Sequence, residues 1–314
     1  MELIRILEGI RTPFLDNVIG FITQLGEETV VVVVICMIFW CLSKRVTYVL
    51  AVAFFLSGIT VQCMKICFRI DRPWVIDPTL NPVPSAMEYS TGYSFPSGHT
   101  QSAAALFGTF GALAKRKSIK IICFSIPFLV AFSRIYLGVH NLHDVVVSLA
   151  VTYVIIFITV RILGGGISEK KRDFRISLFL LLYTVAVIAI AIALFASGRI
   201  EEKYLSDCLK AAGAGIGFSV SMYIERVYIK FSVAAKNILW QVIKFALGLA
   251  GVLAIQEGVK LLFGTGLIID AVRYFLMIVW AIALFPLIIK RFFEVPGKPS
   301  GCCAKKLDNT LPKL

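Results

Sequence analysis

The 314-residue chain is 58% apolar and only 16% charged, with a mean hydropathy of +0.86. A soluble domain carries about 25% charged residues, so this chain has too little polar surface to cover a water-soluble globule of its mass. Its 23 Gly and 11 Pro are ordinary, and its 8 Cys are scattered, with Cys36, Cys63 and Cys123 inside apolar runs. Collagenous, disordered and disulfide-scaffold classes are therefore excluded.

Residues 1–27 mix apolar Leu15, Val18, Phe21 and Ile22 with Asp16, Asn17 and Gln24, which predicts an N-terminal interfacial helix. No cleavable signal peptide is expected, because the start lacks a basic stretch followed by an apolar run. Nine apolar runs follow, near 28–43, 46–66, 98–114, 119–136, 145–162, 176–197, 208–227, 238–263 and 270–290. A bilayer crossing needs about 20 helical residues. The expected fold is thus an all-α polytopic membrane helix bundle of about nine transmembrane helices. Its parts are the helix 1–27, a core over 28–165, an additional four-span bundle over 166–291 and a tail over 292–314, with Cys302 and Cys303, that reads as a cytosolic end.

The net charge of +13 has a simple explanation in this setting. Numbering the loops alternately puts twenty Lys and Arg on one side, including Lys44, Arg45, Lys115–Lys117, Lys170–Arg172 and Lys290, and eleven on the other, with Lys244 inside a span. The positive-inside rule then places the N-terminus outside, the C-terminus in the cytosol and the 67–97 loop outside. No nucleic-acid partner is needed to account for the basic residues.

Ionisable residues at the membrane are functional candidates, and here they cluster at outer ends of spans. Lys65 and Arg72 lie seven residues apart, two helical turns, so both point the same way while the helix persists; Pro73 favours ending it there. Such a pair serves equally as a snorkelling anchor. Ser97 is a natural N-cap for the next span, Gly98 allows close approach of a ligand, and His99 supplies a proton donor beside an anion-binding helix start. His140 and Asp144 stand at i,i+4, so the carboxylate can fix the imidazole tautomer while the other nitrogen attacks; a structural His/Asp pair has the same spacing. With Arg134, these segments gather three cations around two His and one Asp, which matches a phosphate monoester of about −1.5 to −2 charge.

The pattern Lys65-x6-Arg72-Pro73, Pro96-Ser97-Gly98-His99 and Ser133-Arg134-x5-His140-x3-Asp144 resembles the full three-part signature of the type 2 phosphatidic acid phosphatase (lipid phosphate phosphatase) superfamily. The resemblance implies His140 as nucleophile forming a phosphohistidine, Asp144 as its orienting partner and His99 as acid then base. It also implies Lys65, Arg72, Ser97, Gly98 and Arg134 as phosphate ligands. It implies no metal and no cofactor, a lipid phosphate or diphosphate substrate, and an extracytoplasmic site; oligomeric state is left open. A dication on His140, His143 and Asp144 would have to sit among three cations with few offsetting carboxylates. His143 has no assigned role and is expected to pack or hydrogen-bond locally.

The nine-span layout is similar to the glucose-6-phosphatase and sphingosine-phosphate phosphatase branches, which keeps a soluble sugar phosphate as an alternative substrate. A phospholipid carrier or transporter, or a phosphotransferase, would use the same phosphate site. The small residues Gly213, Gly215, Gly217, Ser219 and Ser221 suit close helix packing. Glu257 with Lys260 and Asp270 with Arg273 are expected either to neutralise each other or to meet a head group. Trp74, Tyr89 and Tyr93 of the loop covering the site are expected to act as interface anchors.

Overall fold

A computed structural model describes residues 1–88, 90, 92–165 and 168–293. Tyr89 and the 294–314 portion of the tail, with Cys302 and Cys303, lie outside them. Among the described residues the chain is all helical.

The N-terminal segment is two helices rather than one, α1 (Glu2–Glu8) and α2 (Pro13–Gln24). Thr12 caps α2 and Pro13 occupies its first turn, where a missing N–H costs nothing. α3 (Glu28–Cys41) follows, bent by 42° from α2, and the two together have the length and composition of one broken span. α4 (Lys44–Phe68) starts from a Ser43 cap and is the central helix of the bundle. It ends four residues before the position expected from Pro73. Arg69 takes a left-handed conformation (φ 53°), and its N–H caps the Lys65 carbonyl at 2.9 Å. Lys65 and Arg72 are therefore not on one helical face: Arg72 is extended and precedes the short helix α5 (Pro73–Ile76).

α6 (Pro84–Glu88) lies in the long loop. α7 (Gly98–Ala103) runs through a π-helical turn at Ala104–Gly108 into α8 (Thr109–Leu113), and α9 (Lys117–Tyr136) and α10 (Leu142–Leu163) complete the core. The C-terminal part contains α11 (Lys170–Ala196), α12 (Glu202–Ile224), α13 (Ile238–Phe263), α14 (Leu267–Val279) and α15 (Phe285–Phe292), with a π turn at Trp280–Leu284 joining the last two. Among the described residues, six helical segments are long and apolar enough to cross a bilayer, or seven counting the bent α2–α3 pair. The other two expected spans are helical but atypical. Gly98–Leu113 is short of a full crossing, and α12 carries Asp207 and Lys210 in its first half.

Two kinds of contact join the C-terminal helices to the core. Small residues bring α12 against its neighbours: a Cβ at Gly213 would lie 2.1 Å from the Ala271 carbonyl oxygen, and one at Gly217 would lie 2.9 Å from that of Phe275, both on α14. Gly215 meets Ile59 of α4 and Thr184 of α11 in the same way. These glycines serve close packing, as in membrane helix pairs generally. At the end bearing the basic loops, buried Glu225 pairs with Lys44, and Arg226 pairs with Asp173 at 2.9 Å. The Trp40 indole N–H donates to the Ala281 carbonyl at 2.8 Å. Asp270 and Arg273 pair at 2.7 Å, whereas Glu257 and Lys260 are exposed and form no ion pair among the described residues.

Gly213→Val is expected to force α12 and α14 apart and to destabilise the protein by about 2–3 kcal/mol. Gly20, where a Cβ would meet nothing within 4 Å, is the control: Gly20→Ala should leave stability unchanged or raise it by up to about 1 kcal/mol. Thermal unfolding of the two variants in detergent checks both.

Candidate active site

The start of α7 is fastened to the start of α10. Ser97 caps α7, its Oγ accepting from the Thr100 N–H at 3.5 Å and hydroxyl at 3.0 Å. The Ser97 N–H donates to the Asp144 main-chain carbonyl at 3.1 Å, and the Ser148 hydroxyl donates to the Ser97 carbonyl at 2.7 Å. The fully buried Ser97 hydroxyl is thus occupied by the helix start. Gly98, beside it, faces open space, since a Cβ there would meet nothing within 4 Å.

Asp144 occupies the third position of α10, where its Oδ2 accepts the Asn141 N–H at 2.9 Å and so caps the helix. The same oxygen accepts the Ser94 hydroxyl and stands 3.3 Å from His140 Nδ1. On the far side of the ring, Arg72 donates to His140 Nε2 at 2.9 Å and to the Val139 carbonyl at 3.0 Å. A guanidinium can only donate. Nε2 therefore carries the lone pair, and the proton sits on Nδ1, facing Asp144. Burial, reinforced by the Arg72 charge, holds the His140 imidazole well below its ordinary pKa, so the ring is neutral.

Arg134 is almost wholly buried, donating to Thr23 Oγ1 at 3.0 Å and Ser90 Oγ at 2.7 Å, while its Nε has no partner among the described residues. Its carbonyl accepts from the Val139 and His140 N–H groups, which folds the 137–141 link back over the site. Gly138 is left-handed there (φ 79°) and packs on Pro82.

A cavity of about 320 Å³ collects these groups. Six of the eight residues predicted from sequence line it: Lys65, Arg72, Gly98, His99, Arg134 and His140. Ser97 and Asp144 stand behind its wall, the first holding α7 and the second holding His140. His143 is half exposed, with Nε2 3.0 Å from Asp144 Oδ1 and its ring against Phe95.

Several contributors escape sequence reasoning. Ser94, Ser90 and Thr23 are hydroxyls in loops or at a helix end, where no spacing marks them. Glu27, Glu28, Asp207, Lys210 and Tyr274 also line the cavity, the last three brought by α12 and α14. The loop aromatics differ from expectation: Tyr93 is buried and stacks on Tyr204 of α12 with centroids 3.9 Å apart, and Trp74 lies 5.8 Å from the Arg72 guanidinium. Tyr93 therefore packs inside the bundle rather than anchoring at the interface.

Removing the Ser94 hydroxyl takes one donor from Asp144 and loosens the His140 ring. Ser94→Ala is expected to lower turnover by about 10-fold, by analogy with the 10–100-fold cost of losing a supporting hydrogen bond. His140→Ala should abolish turnover, and steady-state assays of the two variants compare them.

The PAP2 superfamily model matches residues 45–167, and the PAP2 superfamily phosphatase transmembrane extension matches 209–295. The chain is 27% identical over 180 residues to phosphatidylglycerophosphatase B of Bacillus subtilis, covering 53% of this chain and 81% of that protein. It is 27% identical over 178 residues to undecaprenyl-diphosphatase of Sulfolobus acidocaldarius, covering 54% and 81%. With lipid A 4'-phosphatase of Porphyromonas gingivalis it shares 27% over 161 residues, covering 48% and 66%. Among solved structures, Aquifex aeolicus LpxE is similar at 27% identity and a TM-score of 0.45, over 51% of this chain and 93% of that one. With its motif-bearing core in the first matched segment and the extension in the second, the chain belongs to the PAP2 superfamily and is a multi-pass membrane phosphoric monoester hydrolase.

Proposed function

We propose that the protein hydrolyses lipid phosphate head groups at the extracytoplasmic face of the membrane, without a metal, through a phosphohistidine on His140. The observation that carries this reading is one cavity in which the lone pair of a neutral His140 meets Lys65, Arg72 and Arg134. The lipid phosphatases among the relatives support the substrate class.

The substrate phosphate enters between the three cations and the Gly98 N–H, and Arg72 turns its donor from Nε2 to a phosphate oxygen. Nε2 then attacks phosphorus in line as the bond to the lipid oxygen breaks. His99, in its protonated form, gives its proton to that departing oxygen. Asp144 keeps the Nδ1–H in place and stabilises the positive charge that develops on the ring. In the second half, neutral His99 takes a proton from water, the hydroxide attacks phosphorus, and the P–N electron pair returns to Nε2. Phosphate leaves and the resting state is restored. The cations act most strongly where charge spreads over the equatorial oxygens.

His140→Ala is expected to abolish phosphate release from lipid phosphates, and His99→Ala to lower it by about 100-fold or more. Rapid quenching of wild type under alkaline denaturing conditions, with a substrate radiolabelled in its phosphate, should trap a base-stable, acid-labile protein-bound phosphoryl group that the His140→Ala variant lacks. Activity in EDTA should equal that without it; loss in EDTA restored by a divalent ion contradicts the metal-free route.

The outward orientation follows from the loop charges. Pro78→Cys, in the exposed loop after α5, should react with a membrane-impermeant maleimide on intact cells, and Arg116→Cys only after permeabilisation. The reverse pattern places the site in the cytosol.

A further inference from the structure

Three consecutive residues of the loop before α7 reach three different places. The Gly92 carbonyl accepts from Arg72 Nε at 3.0 Å. The Ser94 hydroxyl donates to Asp144 Oδ2, and the Ser94 N–H donates to the Ile70 carbonyl at 2.8 Å. Tyr93, between them, is buried, and its ring lies flat on Tyr204 of α12, with centroids 3.9 Å apart and planes 12° from parallel. Neither tyrosine is among the residues that line the cavity. One short stretch thus holds a phosphate-binding arginine, supports the carboxylate that orients His140 and rests on the C-terminal extension.

A loop has no helix ladder to place it, so its position is set by the side chains it packs against. Here the packing surface is itself fixed. Tyr204 is the third residue of α12, which Gly213 and Gly217 bring against the backbone of α14 and Gly215 against Ile59 of α4. Tyr93 also belongs with Ile66 of α4 and with Leu205 and Cys208 of α12 to one apolar cluster. Without the flat face of Tyr204, Tyr93 has room to shift, and the Gly92 carbonyl and the Ser94 hydroxyl shift with it. Arg72 and the His140–Asp144 pair then lose their alignment together, and a displacement of about 1 Å at reacting groups costs up to about 100-fold in rate.

We propose that Tyr204 is a positioning residue for the reaction: through its ring the C-terminal extension holds the 92–94 loop and thereby aligns Arg72 and the His140–Asp144 pair. This inference rests on the reading of the cavity as a lipid phosphatase site, and it gives the extension a part in turnover. Tyr204 acts only through Tyr93 and touches no reacting atom.

The test uses the full-length protein with phosphatidate in mixed detergent micelles. Tyr204→Ala is expected to lower kcat by about 10-fold while KM stays within about 3-fold. Tyr204→Leu keeps most of the volume without the flat face, should behave the same way, and serves where the alanine variant does not fold. Tyr204→Phe keeps the stack and should lie within about 2-fold of wild type. Tyr223→Ala removes a ring that meets Phe174 and Tyr228 near the other end of α12, and is expected to retain wild-type kcat. Because Tyr204 acts through the loop that carries Ser94, Tyr204→Leu combined with Ser94→Ala should cost only about 10- to 30-fold, not the roughly 100-fold product of two independent losses. A lower folded fraction would multiply with the Ser94 effect and give that product. The full product, wild-type kcat in Tyr204→Leu, a Tyr204→Phe variant as slow as the leucine one, or an equal loss in Tyr223→Ala each overturns the proposal. Failure of the underlying reading looks different: no turnover by wild type, or turnover retained by His140→Ala, overturns the phosphatase site itself and this inference with it.

Discussion

The site depends on burying two guanidinium groups among neutral hydrogen-bond acceptors. Arg134 is held by two hydroxyls, and Arg72 by the carbonyls of Gly92 and Val139 together with the His140 ring. Around Arg134 these acceptors are neutral hydroxyl oxygens, which satisfy N–H groups without bringing a countercharge into contact. The opposite end of the bundle treats buried cations differently. There Lys44 meets Glu225 and Arg226 meets Asp173, and those carboxylates make the pairs structural ties between helices. The same residue types thus have two roles, divided by whether the acceptor carries a charge.

Asp144 is a buried carboxylate placed against the His140 ring, and its position comes from helix physics. The third residue of a helix can reach back to the N–H of its cap, and Asp144 does so with Asn141. The oxygen that closes the cap also faces His140 Nδ1, four residues earlier. A single helix start therefore fixes the His140 tautomer. The main-chain carbonyl of Asp144 in turn holds Ser97, so α7 and α10 are registered to each other through one residue.

Much of this was legible in the sequence because charge is scarce in an apolar chain. Lys65, Arg72, His99, Arg134 and His140 stood out against their surroundings, and all five converge on one cavity. What spacing could not show was how the chain bends between them. The periodic argument for Lys65 and Arg72 assumed a continuous helix, yet Arg69 adopts a left-handed conformation that stops it at Phe68. Arg72 then reaches the site from an extended segment. Ser94, Ser90 and Thr23 were invisible for another reason. A hydroxyl in a loop has no period, and its partner lies 44 to 111 residues away in the chain for Ser90 and Thr23.

The same limit hid the contribution of the last helices. Asp207 and Lys210 read as the polar beginning of an apolar run, and the glycines after them read as packing residues. The structure connects the two observations. Gly213 and Gly217 let α12 close onto the backbone of α14, and this approach brings Asp207, Lys210 and Tyr274 to the same cavity wall. The stacking of Tyr93 on Tyr204 ties the loop before α7 to α12 as well. A helix pair packed backbone to backbone on glycine has no intervening side chain to rearrange, so it cannot slide without collision. The groups it presents line the same cavity as the motif residues, and that cavity draws on both halves of the chain.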